Sequence, residues 1–163
     1  MRSRSSLWFE TKIKYDKTAE DGQLQKVSEA YVVDALSFTE AEEFITKEMS
    51  TYITGDYTIT DIKKASYGEI FFSDNARDDR WYKAKVQFII PDEKTGKEKL
   101  STVNYLIQSN TFQNAVKSLE GVLDTGMQDW RIASLAETNF LDVYEHDGSK
   151  LVPVHKATVE END

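Results

Sequence analysis

Two segments of the chain alternate tryptophan and lysine with apolar residues. Side chains of an extended strand point to opposite faces in turn, so the tryptophan and two lysines of each segment share one face. These residues are Trp8, Lys12 and Lys14 in the first segment and Trp81, Lys83 and Lys85 in the second. Unpaired bases stack on aromatic rings while ammonium groups follow the phosphates. We therefore predict that the six residues form a two-part site for single-stranded nucleic acid.

A second interpretation of the same residues is that each tryptophan is buried and the lysines only keep the surface soluble. Large aromatic side chains are more often buried than exposed. The chain would then be a protein–protein interaction module, or an inhibitor, that uses exposed sheet edge and aromatic side chains and binds no nucleic acid. The solvent exposure of Trp8 and Trp81 discriminates between the two interpretations.

Residues suited to catalysis are few. The chain has no cysteine, and its two histidines are His146 and His155. Neither has a second metal ligand at helical spacing, as a zinc site would require. Phosphate-binding loops, dinucleotide fingerprints and nucleophile elbows are also absent from the sequence. We therefore expect a non-catalytic protein with no metal and no cofactor. An enzyme of unknown type remains a remote alternative.

The two tryptophan segments belong to a longer internal repeat. Residues 8–15 correspond to 81–88, residues 31–41 correspond to 105–115, and residues 57–62 correspond to 130–135. The separation between matched positions is nearly constant along the chain. Few identities survive, but size and apolar character match. Self-similarity at a fixed period predicts two copies of one structural unit.

Local patterns define the elements of each copy. Alternation over residues 8–15 and 81–89 is typical of half-buried strands, and turns containing Gly22 and Gly96 lead to a second strand in each copy. Ser37 stands three residues before Glu40, the spacing of a capping box, so a helix begins there. The second helix begins at Thr111. We expect two more strands to close each unit, 56–64 with 67–73 and 129–136 with 139–145.

These elements predict an α+β fold of two tandem ββαββ repeats with pseudo-twofold symmetry, in which two helices cover antiparallel sheet. We predict a disordered start over residues 1–7, a first repeat over 8–73, a second over 80–146 and an extended acidic tail over 147–163. The linking residues 73–79 should let the strands on either side belong to one sheet. The two repeats should share one core, because about 70 residues are marginal alone. We expect that core to contain Phe9, Ile13, Tyr15, Phe38, Ala41, Ile45, Ile59, Ile62, Val86, Phe112, Ala115, Leu119 and Ile132.

The overall charge restricts the partners. The net charge of −9 gives no global attraction for nucleic acid, so any polyanion would need a local basic face. No apolar run reaches the length of a membrane span, and no secretory signal follows the N-terminal arginines, so we expect a cytoplasmic protein with no membrane partner. A homodimer is compatible with the sequence.

Several segments together are similar to a known family. They are residues 8–15 (WFETKIKY), 34–42 (DALSFTEAE), 60–64 (TDIKK) and 132–138 (IASLAET). The chain resembles, over about residues 7–145, a family of small bacterial and phage proteins catalogued as a domain of unknown function. The resemblance implies an intracellular protein of gut-type bacteria or their phages, and it implies no catalytic residues.

The order of elements suggests a further comparison at the level of the fold. Four strands followed by a helix, repeated, resembles in permuted form the single-strand-binding Whirly and Pur-type proteins. Fold alone does not establish function. The acidic end, residues 159–163, resembles the partner-recruiting tails of single-strand-binding proteins, but it is short and lacks a terminal aromatic residue. A solvated tail is the simpler interpretation.

Overall fold

The computed structural model describes residues 1–147 and 150–153 of the chain. Strands predominate, and the predicted mixed α+β class is confirmed. The elements are β1 (Arg2–Arg4), β2 (Trp8–Thr18), β3 (Leu24–Asp34), α1 (Phe38–Tyr52), β4 (Tyr57–Ala65), β5 (Tyr67–Phe72), β6 (Arg80–Pro91), β7 (Glu98–Ser109), α2 (Phe112–Leu123), β8 (Asp129–Glu137), β9 (Phe140–Asp147) and β10 (Lys150–Pro153). His155 and most of the predicted acidic tail lie outside the described residues.

The strands form two five-stranded sheets. Sheet A has the order β1-β5-β7-β6-β8, and sheet B has the order β10-β9-β3-β2-β4. Strands β2 and β6 are flanked on both sides in their sheets, and each pairs antiparallel with both neighbours. The residues before β6 join two strands of the same sheet, as predicted for the segment 73–79.

The chain divides into two compact units that cut across the order of the sequence. Unit 1 consists of Met1–Ser6 and Ser66–Thr138, and contains sheet A and α2. Unit 2 consists of Leu7–Ala65 and the chain from Asn139 onward, and contains sheet B and α1. Each unit therefore combines residues from both sequence repeats.

The mixing arises because each repeat contributes its last strand to the other sheet. Strand β5 pairs in parallel with β7, and β9 pairs in parallel with β3. The expectation that these strands close their own repeats is wrong. Ser66 alone separates β4 from β5, whereas the shortest common hairpin loops contain two residues. The chain therefore passes from the end of β4 into the other sheet.

Buried side chains hold the ends of both exchanged strands. The carboxylate oxygen Oδ2 of Asp34 accepts a hydrogen bond from the backbone N–H of His146 at 3.1 Å. The side-chain oxygen Oε1 of Gln108 accepts one from the backbone N–H of Ser73 at 2.9 Å. Asp34 and Gln108 are 3% and 5% exposed. The two side chains occupy matching positions in the sequence repeat, so the same anchor recurs in both units.

Both helices begin where the sequence predicts. The Ser37 hydroxyl accepts a hydrogen bond from the backbone N–H of Glu40, and the Thr111 hydroxyl accepts one from Asn114, each at 3.1 Å. These bonds satisfy amide groups that have no partner within the helix. The local capping pattern was therefore sufficient to define both helix starts.

Each helix covers one face of its sheet and encloses a core within its own unit. Each of these helix-side clusters combines side chains from both sequence repeats. The unit 2 cluster contains Phe9, Ile13, Tyr31, Val33, Ala35, Ala41, Ile45, Met49 and Tyr144. The unit 1 cluster contains Phe71, Tyr82, Ala84, Val86, Ile107, Ala115, Leu119 and Leu123. The predicted core residues Tyr15, Ile59, Ile62 and Ile132 pack against these clusters and are partly buried.

Two predicted core residues and the predicted disordered start need correction. Phe38 and Phe112 are 54% and 46% exposed, because each is the first residue of its helix and lies at the rim of the sheet. Their rings contact Phe9 and Tyr82 edge-on, with centroids 5.0 and 6.4 Å apart. Within residues 1–7, β1 pairs antiparallel with β5.

The strand exchange predicts how the protein behaves when the chain is cut. We expect fragments 1–76 and 77–163 to show no cooperative thermal unfolding alone, because each lacks strands of both sheets. Mixed in equal amounts, they should form a one-to-one complex with the unfolding transition of the intact protein. Size-exclusion chromatography and circular dichroism would measure both properties. Independent cooperative folding of either fragment, without association, would contradict the exchange.

Candidate binding surfaces

The two tryptophans lie on the strand face that the alternation predicts, but neither is exposed. Trp8 and Trp81 are both 0% exposed. The ring of Trp81 packs edge-on against Phe72, with centroids 5.6 Å apart. The prediction that these rings offer stacking platforms to unpaired bases is therefore wrong. Any binding to nucleic acid must come from other groups on the sheets.

The four lysines of the predicted site are exposed. In sheet B, Lys12 lies opposite Asp61, and the neighbouring Glu10 forms an ion pair with Lys63 at 3.5 Å. The described side chains on this face of sheet B carry four basic and five acidic groups. They are Lys12, Lys14, Lys26 and Lys63, and Glu10, Asp16, Asp34, Asp61 and Glu145. The face of unit 2 that carries Lys12 and Lys14 is therefore not basic.

The corresponding face of sheet A has a different charge balance. The strand registers place five basic residues on it and two acidic ones, and the acidic residues lie where the β6–β7 hairpin ends. The basic residues are Arg2, Arg4, Lys83, Lys85 and Arg131, and the acidic residues are Asp129 and Glu98. The Arg2 guanidinium stacks over the Phe72 ring at 4.2 Å. A local basic face thus exists, but in unit 1 alone.

Each sheet also ends in a long strand that has no outer neighbour among the described residues, β4 in sheet B and β8 in sheet A. Both strands contain one extra residue relative to their partner, Thr60 in β4 and Ala133 in β8. The positions of the charges differ: β4 carries Asp61, Lys63 and Lys64, whereas β8 carries Asp129, Arg131 and Glu137 towards its ends and no charge over residues 132–136.

The difference in charge between β4 and β8 was not predicted from the sequence, although the alignment of the two repeats shows it. The register matches Asp61 and Lys63 to Ser134 and Ala136. Ser134 lies opposite Lys85, and Ala136 lies opposite Lys83. The matching of apolar residues between repeats draws attention to what is shared. A comparison of the charged positions would have shown that residues 134 and 136 lack the charges of Asp61 and Lys63.

The most connected group of ionisable side chains lies in unit 2. Glu29 accepts hydrogen bonds from the Tyr15 hydroxyl at 2.6 Å and the Tyr31 hydroxyl at 2.8 Å. The bond to Glu29, with burial, raises the pKa of Tyr15 to about 12. Burial, with the charge of Asp142, also raises the pKa of Tyr144. Raised phenol pKa values keep these groups neutral, so the cluster is suited to hydrogen bonding rather than to nucleophilic chemistry.

The remaining chemical candidates form no larger site. His146 lies 3.8 Å from the Glu40 carboxylate, measured from Nε2 to Oε1. Among the described residues, no group of three or more histidine, aspartate or glutamate side chains is placed to hold a metal ion. No helix in the described part of the chain is long and apolar enough to cross a membrane.

The fold defines a mixed α+β protein with two five-stranded sheets, each of which ends, among the described residues, in one long open strand. Residues 7–146 match the family model described as a domain of unknown function, DUF4494. The match covers most of the chain, so the protein belongs to that family. The chain matches no curated protein and no solved structure.

The tyrosine cluster predicts an alkaline titration step. The pKa of Tyr15 rises from about 10 to about 12, so the bond from its neutral phenol to Glu29 is fully present below pH 10. That contribution to stability is lost as the pH rises from about 10 to about 12. The ionisation of Tyr15 should appear in a pH titration as the near-ultraviolet absorbance of the wild type minus that of Tyr15→Phe. Glu29→Gln should move it towards lower pH. A Tyr15 step at the ordinary tyrosine pH would contradict this assignment.

Proposed function

We propose that the protein is a non-catalytic binding module that engages a protein partner by adding an extended segment of that partner to β8. The observation that carries the proposal is the chemistry of this edge. Strand β8 is nine residues long and ends sheet A, and its residues 132–136 are uncharged. An open strand edge presents unpaired N–H and C=O groups that can bind another strand.

The contrast with β4 supports this choice of edge. Proteins protect open edges with charged side chains, lysine above all, and with bulges. Each strand has three charged side chains and a bulge, but those of β8 lie at residues 129, 131 and 137 and leave 132–136 uncharged, whereas those of β4 lie within the matching stretch and just after it. Exposed small side chains at Ala133, Ser134 and Ala136 leave room for an approaching strand. The uncharged residues 132–136 are therefore the part of this edge that is most open to strand addition.

We also propose that residues 8–73 and 80–146 are tandem ββαββ repeats related by pseudo-twofold symmetry. The same order of elements, the central strands, and the bulges at Thr60 and Ala133 support the duplication. The two buried anchors of the exchanged strands, Asp34 and Gln108, support it as well. The duplication makes β4 a natural control for β8.

The basic face of sheet A supports a second candidate function. Five basic side chains on one sheet face could follow the phosphates of a single strand in phage or bacterial DNA processing. Burial of Trp81 removes the stacking contribution. Affinity would then depend mainly on charge and would be strongly sensitive to salt. We place this candidate second for that reason.

Exchanging charges between the two edges tests the leading proposal. Nine-residue peptides that bind the folded protein would first be selected from a random displayed library. We expect these peptides to bind the double variant Ser134→Asp/Ala136→Lys at least tenfold more weakly than the wild type. This double variant places the charges of Asp61 and Lys63 at the matching positions of β8 without changing net charge. Affinity would be measured by fluorescence anisotropy, with thermal unfolding confirming the fold.

The matched control is Asp61→Ser/Lys63→Ala in β4, which should leave the affinity of the selected peptides unchanged. Amide hydrogen exchange should show that the bound peptide protects the backbone of β8. Peptides that bind both variants as well as the wild type, or a library that yields no binder, would overturn the assignment to β8.

A salt titration tests the second candidate. Lys83→Ala and Lys85→Ala should each reduce the slope of log affinity against log salt by about 0.7 for each phosphate of a single strand that the lysine neutralises. Lys12→Ala and Lys14→Ala, on the mixed face of unit 2, should leave the slope unchanged. Equal effects from both lysine pairs, or undetectable binding of single strands at low salt, would contradict a site on sheet A.

A further inference from the structure

We infer that the segment that docks on β8 alternates apolar and acidic residues. This inference rests on the strand addition proposed above and specifies the partner. A strand added beside β8 would point its side chains in turn to the helix-covered face of sheet A and to the opposite face. The two faces differ sharply beside β8, so they select different residue types.

The helix-covered face selects apolar side chains. Trp130, Ile132 and Leu135 pack against the unit 1 core from β8 and are only partly buried. Their outer sides are what the next strand would contact, because directly opposed side chains on neighbouring strands have Cβ atoms about 4.5–5.5 Å apart. Apolar residues at alternate positions of the added strand would complete the burial of these three side chains.

The opposite face selects acidic side chains. Arg131 is an exposed cation on β8 itself, and it is positioned by a 2.6 Å hydrogen bond from its Nε to Oε1 of Gln87. On β6, the strand next to β8, the exposed Lys83 and Lys85 lie opposite Ala136 and Ser134. A docked strand would lie two strand spacings, about 10 Å, from β6. Lys83 Nζ lies 5.7 Å from the centroid of the Tyr67 ring on β5, so this lysine must turn away from that ring to reach the docked strand. The small side chain of Ser134 leaves Lys85 room to reach towards it.

The overall negative charge of the protein does not oppose this selection. Charges on an exposed surface are screened over about 8 Å at physiological ionic strength, so an acidic side chain beside β8 responds mainly to nearby groups. Those groups are Lys83, Lys85 and Arg131, with Asp129 at the start of the strand. A lysine-bearing segment would meet three like charges at the same place.

The equivalent edge of unit 2 lacks this arrangement. On the same side of β4, Asp61 lies opposite Lys12, and Lys63 pairs with Glu10. These opposite charges compensate one another within the sheet. An acidic segment would therefore gain little at β4, and the selection for alternating apolar and acidic residues is specific to β8.

The test compares two synthetic nine-residue peptides, one alternating valine with glutamate and one alternating valine with lysine. We expect the glutamate peptide to bind the full-length protein about tenfold more tightly, since three exposed ion pairs together give a factor of that order. Lys83→Gln/Lys85→Gln should remove most of the difference, whereas Lys12→Gln/Lys14→Gln should leave it unchanged. Fluorescence anisotropy at two salt concentrations would measure the affinities.

N-methylation of the glutamate peptide separates the two proposals. Two methylated peptides are needed, one with methyl groups on the odd-numbered amides and one with them on the even-numbered amides. Only one of the two should lose binding, because only one set of amides faces β8 in an added strand. Strand addition itself would be overturned if both methylated peptides still bound, or if neither the unmethylated glutamate peptide nor the lysine peptide bound. Equal or tighter binding of the lysine peptide, with the methylation effect intact, would overturn only the selection for acidic residues.

Discussion

The structure depends on the parallel pairing of β5 with β7 and of β9 with β3. Backbone N–H and C=O groups must be paired when they are buried, and these two pairings satisfy one side of β7 and one side of β3. Strands β1 and β10 then cover the outer sides of β5 and β9. As a result, each sheet is extended on the exchange side, and among the described strands only β4 and β8 remain as long open edges.

Local chemistry made part of this fold predictable from the sequence. The capping residues Ser37 and Thr111 act within one turn, so their pattern defined both helix starts correctly. Alternation along the central strands correctly assigned Phe9 and Val86 to the helix-covered faces. Alternation shows which residues share a face, but it does not show what covers that face. The burial of Trp8 and Trp81 therefore could not be predicted from it.

The strand partners required information that no short pattern contains. A strand whose sequence predicts the second half of a hairpin can pair equally well with a distant strand. The apolar residues of β5 are compatible with either sheet. The single residue Ser66 between β4 and β5 was the one available signal. The candidate edge was likewise not predicted, because it differs from β4 by the absence of charge over residues 132–136 rather than by any motif.

The two units have the same arrangement of strands but differ in chemistry. Glu29, which binds two tyrosine hydroxyls in unit 2, is matched in the other repeat by the apolar residue Val103. The buried anchor of the exchanged strand is a carboxylate in one unit and an amide in the other. The hydrogen-bonded carboxylate of Glu29 thus has no counterpart in unit 1.

The exchanged strand β9 also has a consequence for the protein as it emerges from the ribosome. Strand β3 is synthesised long before β9, because the whole of β4 through β8 lies between them in the chain. Until β9 arrives, the β3 edge of sheet B is open and apolar, with Val32 and Val33 unprotected by the strand that later pairs with them. The nascent chain therefore carries an unpaired apolar strand edge throughout the synthesis of β4 to β8.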